Sequence, residues 1–127
     1  MTTRESASAA LQQAMQLHER GDLDGAEAYY RTTLATEPEN ARALRLLGIL
    51  KRDTGDIDAS LALLQRSAEL EQDSNVALNE LAMSQLVAGY FREAESSLRQ
   101  AITRDPGDTT AYTNLGALLH HRGHVKQ

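Results

Sequence analysis

Apolar residues along this chain recur in blocks at spacings of three and four, and each block gives way to a glycine, a proline or a cluster of Asp, Glu and Asn. That rhythm belongs to amphipathic helices buried through one face. It predicts helices near Ala7 to Arg20, Asp24 to Glu37, Ala41 to Asp53, Asp58 to Glu71, Asn75 to Ala88, Arg92 to Arg104 and Thr109 to Arg122. The chain is therefore expected to be all-α.

The blocks are copies of one unit. Gly21, Gly55, Gly89 and Gly123 stand 34 residues apart, with no insertion or deletion between them. Small residues recur in that register at Ala14, Gly48, Ala82 and Gly116, and again at Ala26, Ser60 and Ala94, where two helices must come close. Larger ones recur at Leu47, Leu81 and Leu115, and at Tyr30, Leu64 and Leu98, where the gap must be filled. Alternating small and large slots give interlocking contact.

Turn chemistry fits the same frame. The glycines suit a left-handed cap before a tight turn, with Gly123 expected to open one more turn. Asp24 and Asp58 are placed to cap the helices that follow through their side-chain oxygens. Pro38 and Pro106, 68 residues apart, fall where a helix must end, and Gln72 holds that slot between them. Each unit reads as helix, turn, helix.

These residues resemble the tetratricopeptide repeat family, and the resemblance covers nearly the whole chain. The third unit matches best, through Leu81, Ala82, Gly89, Ala94, Leu98, Ala101 and Pro106; the first departs with Gln13 at the usual leucine and Thr33 at the usual alanine. An ordinary helical bundle would have to produce all these phased coincidences by accident. The resemblance implies a right-handed superhelical solenoid of antiparallel helix pairs, with the first helix of each pair lining the concave side. Its divisions are an N-terminal extension over residues 1–6, repeats over 7–40, 41–74 and 75–108, and an incomplete fourth over 109–127, all in one domain.

The resemblance also selects a groove face. Its rows are Ser8, Leu11, Met15 and His18; Arg42, Arg45, Ile49 and Arg52; Val76, Asn79, Met83 and Leu86; and Thr110, Thr113, Ala117 and His120. An apolar first row, a basic second and an apolar third suit a protein or peptide carrying acidic and hydrophobic side chains, because guanidinium groups hold carboxylates bidentately. The plainer alternatives are a solvated helix face for the arginines and core filling for Met15 and Met83. Relatives that clamp the C-terminal carboxylate of chaperone tails carry Lys, Asn and Arg where this chain has Leu11, Met15, Leu46, Val76 and Glu80, so that clamp is absent. Of an asparagine ladder found in sugar-transferring relatives, whose slots here hold Gln12, Leu46, Glu80 and Asn114, only Asn114 remains.

The two ends differ. The first helix offers Gln12, Gln13 and Gln16 among small residues, whereas the last presents Tyr112, Leu115, Leu118 and Leu119 with no partner helix to follow. A repeat array normally closes with a polar cap. The apolar end is expected to continue into further repeats or a catalytic domain of a longer polypeptide, or to pair with another copy, the first being favoured.

Composition narrows the chemistry. The net charge of −5 gives no support for a nucleic-acid partner, and the acidity is concentrated between Ala7 and Asn40. There is no cysteine, which removes disulfides, thiolate metal sites and a cysteine nucleophile. No signal-like or membrane-spanning apolar run occurs, so a cytoplasmic protein without a membrane partner is expected. His120 and His124 have metal-like spacing, yet Gly123 interrupts their face, and a solvated helix end accounts for them better. With no phosphate loop or nucleophile elbow, neither catalysis nor a cofactor is expected within these residues. The reading is an interaction scaffold, with an accessory domain of a glycosyltransferase, sulfotransferase or oxygenase as the first alternative and a self-associating array as the second.

Overall fold

The computed structural model describes the backbone of residues 2–126 and the side chains of residues 2 and 4–123. The helices are α1 (Thr3–Glu19), α2 (Leu23–Thr36), α3 (Ala41–Asp53), α4 (Ile57–Leu70), α5 (Val76–Ala88), α6 (Phe91–Arg104) and α7 (Thr109–Lys126). Each packs on the next, in the pairs α1/α2, α3/α4 and α5/α6, and the first helices of neighbouring units also touch, α3 on α5 and α5 on α7. The result is an all-α solenoid of stacked helix pairs.

The turns follow the glycine register with one exception. Gly21, Gly55 and Gly89 have φ of 84°, 92° and 84°, a region that side-chain-bearing residues avoid. Gly123 is not a turn: α7 continues through it to Lys126. Glycine tolerates a helix interior at an entropic cost, so position in a repeat does not by itself stop the helix.

Capping differs from expectation by two residues. Asp22 and Asp56, not Asp24 and Asp58, accept the amides of Gly25 and Ala59. An N-cap oxygen reaches only the second or third amide beyond it, and the helices begin one residue before Asp24 and Asp58. The first helix also starts earlier than expected, inside the supposed extension, where Thr2 and Glu5 form a reciprocal capping box.

Two apolar clusters fill the interior. One joins Leu11, Ala14, Ala26, Tyr30, Ala43, Leu47 and Leu50; the other runs from Leu64 through Leu78, Leu81, Leu98 and Leu115 to Leu118. The small slots are needed where helices cross: a Cβ added to Gly48 would stand 2.7 Å from Leu64 Cγ. Its counterpart Gly116 meets nothing within 4 Å. The unusual Thr33 is buried yet satisfied, its hydroxyl donating to the carbonyls of Tyr29 and Ala7, and Ser67 repeats the link to Ala41 O one unit later.

Candidate functional site

The first helices of the units carry the predicted groove rows, and the structure divides their residues into three groups. Leu11 and Asn79 are buried, at 9% and 7% exposure, so Leu11 belongs to the core and offers no groove surface. Leu11 packs in the cluster with Ala14, Ala26 and Tyr30, and Asn79 lies one turn into α5 and bonds Asp108. Met15, His18, Arg45, Ile49, Arg52, Met83 and Leu86 are half-buried, while Ser8, Arg42, Val76, Thr110, Thr113, Ala117 and His120 are exposed. Met15, Ile49, Met83 and Ala117 hold one register position on successive first helices, and together they form an accessible apolar stripe across the repeats.

The basic row is largely committed inside the protein. Arg52 places Nη2 2.8 Å from Glu80 Oε1 and uses Nη1 for Glu80 O and Ser84 Oγ, binding α3 to α5. Arg45 Nη1 lies 3.4 Å from Glu71 Oε1. Arg42 has no ion pair among the described residues and is exposed. Three guanidinium groups facing a ligand thus become one, because carboxylates of adjacent elements reach the other two first.

Around His18 the network is local. Its Nδ1 is 2.9 Å from the Tyr30 hydroxyl, and its Nε2 is 4.0 Å from Asp53. Burial pushes the Tyr30 hydroxyl up to about 12, against a small opposing pull from Arg42.

Sequence reasoning did not find the polar cluster between α5 and α7. Asn75 Nδ2 and Asn79 Nδ2 both donate to Asp108 Oδ2, at 2.8 and 2.9 Å, while Asp108 Oδ1 caps the Ala111 amide. Burial works against the Asp108 charge, but hydrogen bonds from Asn79, Ala111, Asn75 and Thr110 outweigh it and hold its pKa below the usual aspartate value. A cleft of about 380 Å³ opens there. A larger depression of about 620 Å³ lies at the loop residues Glu37, Pro38, Glu39 and Asn40. The missed signal was positional, since Asn79 stands one period after Arg45.

At the C-terminal face, Leu115 and Leu118 are buried at 8% and 1%, whereas Tyr112 and Leu119 remain 50% and 46% exposed. The expected open surface therefore shrinks to the second pair: Leu115 and Leu118, three apart, point into the α5/α6 core. His121 packs against Phe91 with ring centroids 4.7 Å apart. Among the described residues no group of three or more His, Cys, Asp or Glu could hold a metal, and the His124 side chain lies outside them. No helix of the described residues is long and apolar enough to cross a membrane.

The pattern of the family described as "Tetratricopeptide repeat" matches residues 17–81 and again residues 79–126. The chain belongs to the tetratricopeptide repeat family. It is 31% identical over 99 residues to a TPR repeat-containing protein of Pseudomonas aeruginosa, covering 77% of this chain and 17% of that one. It is 27% identical over 97 residues to the human PEX5-related protein, with 76% and 16% covered. This tetratricopeptide chain thus spans about a sixth of the length of those curated relatives.

Among solved structures it is similar to a Thermobaculum terrenum O-GlcNAc transferase, with a TM-score of 0.85, 25% identity, and 94% of this chain and 23% of that one covered. The first TPR of Spaghetti (RPAP3) bound to the HSP90 peptide SRMEEVD has a TM-score of 0.86 at 12% identity, with 94% of each chain covered, a likeness of fold alone.

Proposed function

We propose that the chain is a protein-interaction scaffold whose concave side binds an extended segment of a protein partner. The observation that carries this reading is the stripe of Met15, Ile49, Met83 and Ala117, which recurs once per repeat and stays partly accessible. Methionine makes such a surface adaptable, and a stack of rigid helix pairs presents it already formed. Peptide binding by a structural neighbour of the same fold agrees with it. Arg42, exposed beside the stripe, supplies the contact for an acidic side chain.

Selection of binders from a random peptide display library, followed by NMR mapping on the labelled chain, tests the reading. Selected peptides are expected to shift the Met15, Ile49 and Met83 methyl signals, and Ile49→Glu is expected to abolish binding without loss of helicity. Binders that map to α2, α4 and α6 and ignore Ile49→Glu would remove the groove from the site.

A second reading makes the scaffold the accessory arm of a larger enzyme that delivers substrate to a catalytic domain. The likeness to the O-GlcNAc transferase, of whose chain this one spans 23%, supports it. Co-purification of the natural full-length protein with a transferable-group donor and turnover of a peptide bound in the groove is its test; a full-length protein that holds the peptide and leaves it unmodified counts against it.

A further inference from the structure

The segment after each second helix brings a carboxylate to one register position, occupied by Glu37, Glu71 and Asp105. In the second unit that carboxylate is met from inside the protein by the guanidinium of Arg45 on α3. One period later Asn79 replaces Arg45 and Asp105 replaces Glu71. Asn79 is too short to make the same contact and bonds Asp108 instead. Where the guanidinium would be, the cleft of about 380 Å³ lies open, walled by Asn75, Asn79, Glu80, Asp105, Asp108 and Thr110 among others.

The chemistry of that cleft is one-sided. Three carboxylates line it and no Lys or Arg does. Glu80 is already paired with Arg52, but Asp105 and Asp108 have no ion pair among the described residues. A second feature points the same way: Asn79 is only 7% exposed, and its Oδ1 is a buried oxygen that receives no hydrogen bond. A buried acceptor without a donor is costly to keep. The donor arrangement also argues against a metal ion, since no group of three or more ligating side chains forms among the described residues.

We propose that this cleft binds the guanidinium of an arginine side chain carried by the peptide in the groove. Asp105 then stands to the ligand as Glu71 stands to Arg45, and Asn79 Oδ1 accepts a further N–H from the same fork. Arginine fits better than lysine because its five donors lie in a fixed plane and reach two acceptors at once. The inference rests on the groove reading and adds a basic requirement to the partner, opposite in sign to the contact at Arg42.

The test uses the labelled 127-residue chain and a short alanine peptide, blocked at both ends, with one central arginine. The side-chain amides of Asn75 and Asn79 and the backbone amides of Thr110 and Ala111 are expected to shift. Replacing the arginine by citrulline, which keeps the shape and loses the charge, is expected to weaken binding about tenfold or more. Asp105→Asn retains an acceptor for the Gly107 amide and is expected to cost about fivefold. Asn79→Arg, which supplies the guanidinium from within, is expected to abolish the shifts; Asp105→Asn keeps the test readable should that variant fail to fold.

Four outcomes would overturn the proposal: no shift at the cleft at about 10 mM peptide, equal binding of the citrulline peptide, no effect of Asp105→Asn, or equal affinity for blocked arginine alone, which would assign the cleft to a small guanidinium compound. Shifts confined to the Met15, Ile49 and Met83 stripe would overturn the cleft while leaving the groove reading in place.

Discussion

Arg52 on α3 reaches Glu80 on α5, with Nη2 2.8 Å from Oε1, and the same guanidinium donates to Glu80 O and to Ser84 Oγ. Ser84 is in turn 2.7 Å from the buried hydroxyl of Ser60 on α4. One side chain therefore joins the second unit to the third through both of their facing helices. Solenoid stability depends on such nearest-neighbour terms as well as on each unit.

Truncation of Arg52 to alanine is expected to destabilise the chain by about 2 kcal/mol, because it leaves Glu80 and Ser84 without their charged donor. A double-mutant cycle with Glu80→Gln, read by urea melts, measures the pairwise part. A coupling indistinguishable from zero would reduce Arg52 to a packing role.

Gly48 and Gly116 occupy one register position and should respond to alanine in opposite directions. At Gly48 the added methyl meets Leu64 Cγ at 2.7 Å, so Gly48→Ala is expected to cost about 1 to 3 kcal/mol of overpacking. At Gly116 nothing lies within 4 Å, and Gly116→Ala is expected to stabilise α7 by about 0.5 to 1 kcal/mol through helix propensity. Thermal melts of the two variants decide the point.

Tyr90 holds the cap position of α6 with φ −88° and ψ 69°, close to the −82° and 80° of Asp22, but it makes no side-chain cap bond. Tyr90→Asp is expected to capture the Glu93 amide and add about 1 kcal/mol. It also removes a tyrosine that is 49% exposed, so a partner that needs Tyr90 would bind the stabilised variant less well. Stability and binding measured on the same preparation separate the two effects.

The Tyr30 hydroxyl, raised by burial from 10.0 to about 12, makes the fold sensitive to alkali. A raised folded-state pKa favours the protonated form in the native protein, so its stabilising contribution is complete below pH 10 and is lost as pH climbs toward 12. Asp108 works in the opposite sense: its depressed pKa gives stability above the ordinary aspartate value that disappears as pH falls through the lowered one. Tyr30→Phe should flatten the alkaline limb of the stability profile and Asp108→Asn the acid limb, each leaving the other unchanged.

The repeat frame was legible because helix contacts demand small and large residues at fixed places, and Ala14, Gly48, Tyr30 and Leu64 announce those places without a structure. Gly123 shows where that logic stops. Its spacing matches the other glycines, yet α7 runs through it, since a turn depends on what the following segment packs against. Leu11 was read as groove and Leu115 and Leu118 as open end face, because a helical period gives a residue's direction only within several tens of degrees, and the neighbouring helix decides which side of that arc is covered.

By itself the sequence determined that the chain folds as stacked helix pairs, because period and residue size act locally and repeat; the choice of the first helix of each pair as the groove side came from the family resemblance. Tertiary structure alone decided which charges are spent and which remain. Arg45 and Arg52 share one helical face with Arg42, but Glu71 and Glu80 lie 26 and 28 residues further along the chain and reach them only after the units stack. Charge pairing across that distance has no period to betray it, and among the described residues it leaves Arg42 as the arginine of the predicted basic row without an ion pair.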